Sequence, residues 1–396
     1  MNVPKLRFKE FSEDWEEKKL SDIGLITTGN TPSTLNRDYY NGNEMFVSPA
    51  DMQGNRYINN TKSTLTQLGF SKGRKVKKNS VCFVCIGSTI GKVAQLTKDS
   101  LTNQQINCLT ANINNFDDFI YSLLELKAPY IKLLAGEQAV PLINKTDFSN
   151  LKFFLPSKKE QEKIASFLSS LDKKIEILDK KISLLQKYKK GLMQKIFSQV
   201  LRFKANDGSN FPDWEEKKLG NYLTQKSIKN KDCAVKLVLS VSNKKGFITQ
   251  GEQFNGYEVA SKDLSNYKII KKNEYAYNPS RINVGSIARL ENFSIGIVSP
   301  MYVAFELKDS LNHIYFNSLF QTNKFKYQIK TGCSGSVRDS LNFDDMSDFK
   351  INLPSLEEQE KIANFLASID KKIEFIKEDL ELTKKFKKAL LQGMFV

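Results

Sequence analysis

Histidine is nearly missing from this sequence, with one residue, His313, in 396. A histidine base could serve one site at most, and His313 reads as structural. The chain has no Pro-Pro pair, which excludes the Asn/Asp-Pro-Pro-aromatic signature of adenine methyltransferases, and no G-x-G-x-x-G loop. No apolar run approaches the roughly 20 residues of a membrane span. Residues 1–10 lack the apolar core of a signal peptide. These absences predict a cytoplasmic protein with no membrane partner. Five scattered cysteines (Cys82, Cys85, Cys108, Cys233 and Cys333) make no disulfide framework. Cys82 and Cys85 form a C-x-x-C inside a strand-like run, where residues three apart face opposite ways. They read as core side chains, and no metal is expected.

Two stretches imitate catalytic motifs. Gly87-Ser88-Thr89-Ile90-Gly91-Lys92 has one residue too few for a phosphate-binding loop, and Val93 stands where Ser or Thr would hold magnesium. It reads as a Gly-rich turn between strands. Pro212-Asp213-Trp214-Glu215-Glu216-Lys217 contains the letters of a metal-dependent nuclease motif, but the acid and the E-x-K are adjacent, whereas that motif separates them. Trp15 and Trp214 are instead expected in the core, with the charges around them solvated. Catalysis is not expected.

Positive charge, by contrast, is plentiful: 60 Lys and Arg against 44 Asp and Glu, a net +16. The excess is +4 over residues 1–154, +6 over 155–200, +6 over 201–352 and zero over 353–396. A basic surface spread this widely favours a polyanionic partner.

The chain is also written twice, about 198 residues apart. Asp14-Trp15-Glu16-Glu17-Lys18-Lys19-Leu20 recurs at 213–219, and Leu6-Arg7-Phe8-Lys9 at 201–204. Residues 155–197 match 353–395 at 24 of 43 positions, whereas the segments between keep only traces. One trace pairs Val76-Lys77-Lys78-Asn79 with Ile270-Lys271-Lys272-Asn273. Another pairs Gly91-Lys92-Val93-Ala94 with Gly285-Ser286-Ile287-Ala288. So uneven a match predicts two copies of one unit, each a divergent globular part followed by a preserved helix.

The helices follow Leu-Pro-Ser in both copies, a stop, a proline and a cap. Apolar residues then recur at steps of four and three: Ile164, Leu168, Leu171, Ile175, Leu178, Ile182, Leu185, Leu192 and Ile196 in the first copy. Ile362, Leu366, Ile369, Ile373, Ile376, Leu380, Leu390 and Met394 follow in the second. This is a heptad seam, broken by Lys189 in one helix and by Thr383 and Lys387 in the other. A seam of about 40 residues, roughly 60 Å, needs an equally long partner. The other copy is the best available, and a pseudo-twofold relation makes the two helices antiparallel. The divergent parts read as mixed α+β. Strand-like runs lie at 80–86 and 295–299, and helix-like stretches at 116–134 and 314–329.

From the residues alone, a DNA reader, a coiled-coil hub for protein partners and a nuclease with an unrecognised site all remain open. The order of motifs narrows the choice. Asp-Trp-Glu-Glu-Lys-Lys-Leu opens each half, and Leu-Pro-Ser-x-x-Glu-Gln-Glu-Lys-Ile-Ala with a coiled-coil helix closes it. Over its whole length the chain thus resembles the specificity subunit of Type I restriction-modification systems. Gly29-Asn30-Thr31-Pro32 and Gly87-Ser88-Thr89-Ile90-Gly91 are also similar to motifs of that family. The second half departs there, with Ser280-Arg281-Ile282-Asn283-Val284-Gly285.

The resemblance implies target-recognition domains at 1–154 and 201–352 and spacer helices at 155–200 and 353–396. Each domain would read half of a split target in double-stranded DNA. The helices would set the spacing and dock two methyltransferase subunits, which bring S-adenosylmethionine. ATP-dependent restriction-translocase subunits would join them, and this chain would bind neither cofactor. Arg, Lys, Asn, Gln, Ser and Thr read base edges. The candidates in the first domain are therefore Asn30, Thr31, Ser33, Arg37, Lys72, Arg74, Lys75, Ser88, Thr89 and Lys92. In the second they are Asn243, Lys244, Lys245, Arg281, Asn283, Ser336 and Arg338. Lys77, Lys78, Lys271 and Lys272 recur in both copies, so they suit phosphate or solvent rather than different target bases.

Overall fold

The structure, a computed structural model, describes residues 3–136, 140–243, 245–249, 251, 263–333 and 340–396. It divides into two compact units, Met1–Ser183 with Phe375–Val396, and Leu184–Glu374. The first holds β1 (Glu16–Lys19), β2 (Gly24–Thr28), β3 (Tyr40–Val47), β4 (Tyr57–Ile58), β5 (Ser63–Leu65), β6 (Val81–Val84), β7 (Val93–Leu96), β8 (Ser100–Thr102), β9 (Ile106–Ala111) and β10 (Lys152–Leu155). Helix α1 (Asp117–Leu134) packs on its sheet, and the long helix α2 (Lys158–Phe197) follows β10. The main sheet has the order β2-β9-β6-β7-β4, and β5-β3-β8 forms a smaller one. Strand β6, Val-Cys-Phe-Val, lies centrally and is buried on both faces, which is why it reads as an unbroken apolar run. Val81 and Phe83 join the cluster around Trp15 and Phe119, whereas Cys82 and Val84 join Met45, Val47 and Ile58. Cys82 and Cys85 thus fall in separate clusters, and burial raises both thiol pKa values. For Cys82 the hydrogen bond to Cys108 comes first, and for Cys85 desolvation lifts it to about 12.

The second unit repeats this plan. It contains β11 (Glu215–Lys218), β12 (Leu223–Lys226), β13 (Leu239–Ser242), β14 (Gly246–Thr249), β15 (Lys268–Lys271), β16 (Tyr275–Tyr277), β17 (Ile287–Arg289), β18 (Ile295–Val298), β19 (Val303–Leu307) and β20 (Lys350–Leu353). Its main sheet runs β12-β19-β16-β17, matching β2-β9-β6-β7 in order and register: Phe83 faces Val93 and Asn107, and Tyr277 faces Ile287 and Val303. The helix-like stretch after β19 is two helices, α3 (His313–Leu319) and α4 (Asn323–Gly332), followed later by the long α5 (Leu356–Met394). The break falls at Thr322, whose hydroxyl accepts the Phe325 N–H and starts a new helix within an otherwise apolar pattern. His313 opens α3, stacked on Tyr275.

The repeated motifs are the joints between sheet and helix. The Glu-Glu-Lys-Lys of each motif forms β1 and β11, just after the Asp-Trp, and these pair antiparallel with β10 and β20, the strands leading into α2 and α5. Arg7 makes a two-pronged ion pair with buried Glu160 (2.8 and 2.8 Å), and Arg202 does the same with Glu358 (2.8 and 2.9 Å). Gln161 accepts the Phe116 N–H at 3.0 Å and donates to the Pro156 carbonyl. Gln359 accepts the Asn312 N–H at 2.9 Å and donates to the Pro354 carbonyl. Buried Glu and Gln are costly unless fully paired, and here each is.

Within each unit the segments of α2 and α5 run antiparallel. In the first unit Lys174 meets Asp379 at 2.9 Å, and Asp172 meets Lys387 at 2.6 Å. In the second, Lys189 meets Asp370 at 2.7 Å. The two lysines that interrupt the heptad pattern are repeat-equivalent, and each takes the repeat-equivalent aspartate. Of the seam, Ile164, Leu168, Leu178, Ile182, Ile362, Leu366, Ile369, Ile373, Ile376 and Leu380 are buried, while Leu171, Ile175 and Leu185 are half-buried. Toward the helix ends the seam residues Ile196 and Met394 are buried, as are Met193 and Leu391, while the seam residues Leu192 and Leu390 are half-buried.

The first unit adds a buried charge network. Arg56 pairs with Asp118 at 2.7 Å and Asp172 at 2.9 Å, and Lys387 also reaches Glu125. Burial works against the Arg56 charge, yet Asp118, Tyr57 and Asp172 outweigh it and leave its pKa above the ordinary arginine value. Phe395 stacks on Phe119 at 5.0 Å and meets Trp15 edge-on, while Phe197 makes the corresponding contacts with Tyr315 and Trp214. Trp15 is buried, and Trp214 is half-buried with its indole N–H on Glu358.

Candidate nucleic-acid interface

The chain order of the strands gathers a set of loops at one end of each main sheet. In the first unit these are the segment after β2, the β6–β7 loop and the turn before β9. In the second they are the matching segments around β12, β16–β17 and β19. The β6–β7 and β16–β17 loops close on left-handed glycines, Gly91 (φ +90) and Gly285 (φ +91), where a side chain would be strained. Lys77, Lys78, Lys271 and Lys272 lie at the opposite end, before β6 and β16, all exposed.

In the first unit the structure joins Asn30, Thr31 and Arg74. The Asn30 side chain accepts the Arg74 N–H at 2.7 Å, and the Arg74 guanidinium donates to the Thr28 carbonyl at 2.9 Å. Thr31 donates to Gln104 at 2.7 Å. Ser88 and Thr89 sit in the β6–β7 loop, tied to the turn before β9 where Gln105 donates to the Ile86 carbonyl at 3.3 Å. Lys92 ends that loop, its ammonium on the Pro49 carbonyl. Ser33, Arg37 and Lys72 are exposed nearby in sequence, with no side-chain hydrogen bond to this set among the described residues, and Lys75 lies over the Phe70 ring at 5.2 Å.

In the second unit Asn243 and Asn283 line one cavity of about 930 Å³ together with Lys326 and Lys330. The β13–β14 hairpin holds Asn243 there, because Ser286, just past the left-handed Gly285, donates to the Val241 carbonyl. Lys245 and Arg281 are exposed on the hairpin turn and on the turn after β16. Lys244, Ser336 and Arg338 lie outside the described residues.

Reasoning from the sequence passed over Asn103, Gln104, Gln105, Lys326 and Lys330. The Asn-Gln-Gln run between two strands was the available signal for the first three. Lys326 and Lys330 are one helical turn apart on α4 and required the helix break to be placed. It also missed a second apolar row on the long helices. Ile177, Leu184 and Tyr188 on α2, and Phe375, Leu382 and Phe386 on α5, are all exposed, at identical repeat positions. These residues fall outside the four-and-three spacing of the buried seam.

This architecture defines a duplicated α+β module with variable polar loops on a preserved helical frame. The family of the Type I restriction modification DNA specificity domain matches it twice, over residues 12–187 and 212–384, and the chain belongs to that family. The HindI specificity subunit of Haemophilus influenzae is 35% identical over 174 residues, spanning 41% of this chain and 37% of that protein. The MjaVIII specificity subunit of Methanocaldococcus jannaschii is 25% identical over 404 residues, 96% of this chain and 91% of its own. The crystal structure of a Type I restriction-modification S subunit from M. genitalium shares the fold. Its TM-score is 0.59 at 17% identity, covering 100% of this chain and 99% of that one. Among the described residues no helix is long and apolar enough to cross a membrane, and no group of His, Cys, Asp and Glu is arranged to hold a metal.

Proposed function

We propose that this chain is the non-catalytic, cytoplasmic DNA-reading subunit of a Type I restriction-modification complex. Domains 1–154 and 201–352 each read one half of a bipartite target, and helices 155–200 and 353–396 set the gap between them. The observation that carries this reading is the contrast within the repeat. The sheet register and the glycine turns are the same in both units, while the side chains on the sheet-end loops differ. A duplicated enzyme needs the same reactive groups twice, whereas a reader of a non-palindromic target needs different ones. The candidate readers Asn30, Thr31, Ser88, Thr89, Asn243 and Asn283 lie on these loops and on the hairpin beside them, with Arg74 hydrogen-bonded to the loop after β2, where base edges in a major groove would meet them.

The exposed rows supply the docking surface. Ile177, Leu184 and Tyr188, and Phe375, Leu382 and Phe386, repeat at spacings of seven and four, the pattern of a helix that receives another helix. Two equivalent rows suit two methyltransferase subunits, which carry S-adenosylmethionine. ATP-dependent translocase subunits join the assembled complex. The test is to replace residues 20–150 with a relative's equivalent and to map methylated sites by sequencing. One half of the target should change while the other half and the gap persist; change in both halves would defeat this reading.

A further inference from the structure

The strands align the two units closely enough to compare single positions. Asn107 and Val303 face the equivalent residues Phe83 and Tyr277. The turn Asn103-Gln104-Gln105 therefore corresponds to Ser299-Pro300-Met301. The backbones agree. The Asn103 side chain accepts the Gln105 N–H at 3.1 Å, and its carbonyl accepts the Ile106 N–H at 3.2 Å. The Ser299 hydroxyl accepts the Met301 N–H at 3.4 Å, and its carbonyl accepts the Tyr302 N–H at 3.0 Å.

One turn thus carries opposite chemistry at its two tips. In the first unit Asn103 and Gln105 are committed, Asn103 donating to Gln105 at 2.9 Å and Gln105 to the Ile86 carbonyl. Gln104 is exposed. Its Oε1 accepts from Thr31, and its Nε2 has no partner among the described residues. In the second unit the tip is exposed Pro300 and Met301, the latter 72% exposed and free to pack on whatever approaches.

We propose that this turn is a specificity-determining element in both units, Gln104 reading an adenine and Met301 packing on a thymine methyl. The proposal rests on the DNA-reading function above. A glutamine amide presents one donor and one acceptor, the complement of the adenine N7 and N6 edge, and an apolar tip suits the thymine methyl. Thr31 is a positioning residue: its hydroxyl holds the Gln104 oxygen and turns the amino group outward.

The experiment expresses the chain with its methyltransferase in a host free of other adenine methylation and reads methylated sites by sequencing. Gln104→Glu keeps the shape of the side chain and removes its donor. It should change one base position in the half-site of the first unit, with preference for adenine falling roughly 10- to 100-fold and cytosine gaining. Met301→Gln should change one position in the other half only. Thr31→Val should weaken the Gln104 position, and Thr31→Ser should restore it. If both tip variants methylate the parental sites at parental levels, the proposal is overturned. If the parental complex itself methylates no bipartite site, the DNA-reading function fails first. For a variant that methylates nothing, binding of the complex to cognate and unrelated duplexes decides. Loss confined to the cognate duplex supports base reading, and equal loss on both refutes it.

Discussion

Lys387 and Lys189 occupy the same place in the two repeats, yet replacing them should have very different consequences. The Lys387 ammonium sits 2.6 Å from Asp172 and 2.5 Å from Glu125, with its side chain 8% exposed and that of Asp172 9%. Lys387→Met keeps the length and leaves Asp172, Asp118 and Glu125 with Arg56 as the sole cation of the network. Breaking a buried pair this way costs about 3–5 kcal/mol. The methionine returns about 1 kcal/mol by apolar burial, leaving a net loss of about 2–4 kcal/mol. Lys189 is 17% exposed and its partner Asp370 52%. Such a pair contributes at most about 1 kcal/mol, so Lys189→Met, with methionine on the seam, should be close to neutral. The two tryptophans make the units separately visible. In a Trp214→Phe background Trp15 fluorescence reports the first unit, and in a Trp15→Phe background Trp214 reports the second. With a urea slope of about 2 kcal/mol per molar, Lys387→Met should lower the Trp15 midpoint by about 1–2 M. Lys189→Met should leave the Trp214 midpoint nearly unmoved. Equal shifts, or a larger one for Lys189→Met, would refute the burial argument.

Three further outcomes are expected. Ile196 and Phe197 pack into the core of the second unit, so residues added after Phe197 lie beyond the anchored end of α2 and should not change the gap between half-sites. Seven residues added to each helix, after Leu178 and after Ile376, preserve the seam and should widen the gap by about three base pairs, from roughly 10 Å of helix. An unchanged gap in the methylated-site map of an active variant would refute the role of the helices in setting the gap. His313 has its pKa lowered by burial first and by Arg289 second, with Glu291 opposing. The folded state thus favours neutral imidazole, while the unfolded chain takes up protons near pH 6.5, so this contribution to stability is full above that pH and is lost as pH falls below it. Melting of the second unit between pH 8 and 5.5 should have a smaller pH slope in His313→Gln than in the parent; identical slopes would contradict this assignment.

Much of this organisation can be read in the residues because a repeat supplies its own alignment. The Glu-Gln pair at 160–161 and 358–359 stands out by recurrence alone, and the structure supplies the reason, an arginine partner and a helix start. What pattern cannot convey is pairing at a distance. Lys387 looks like a flaw in a heptad seam until Asp172 and Glu125 are found beside it, more than 200 positions away. Arg56 carries no local mark of its burial, and it lies in a stretch of turns. Loop readers are harder still. Asn30 and Arg74 have the right chemistry for bases, yet part of their hydrogen-bonding capacity holds the loops together. Gln104 is distinguished from its neighbours only by which amide remains uncommitted.

The seating of Phe395 against Trp15 and Phe119 has a consequence for biosynthesis. Of the two units, the one made earlier must wait for a piece of its core, because the aromatic that completes it is encoded about 380 residues after Trp15, some 20 to 80 s later at ordinary elongation rates. The second unit, drawn from Leu184–Glu374, has all its parts sooner. The order of synthesis and the order of completion are therefore reversed. During the interval the nascent chain presents an open apolar socket shaped for its own helix end. A premature stop before Phe395 would leave that socket unfilled, so a truncated chain would carry an incomplete core in the unit made first.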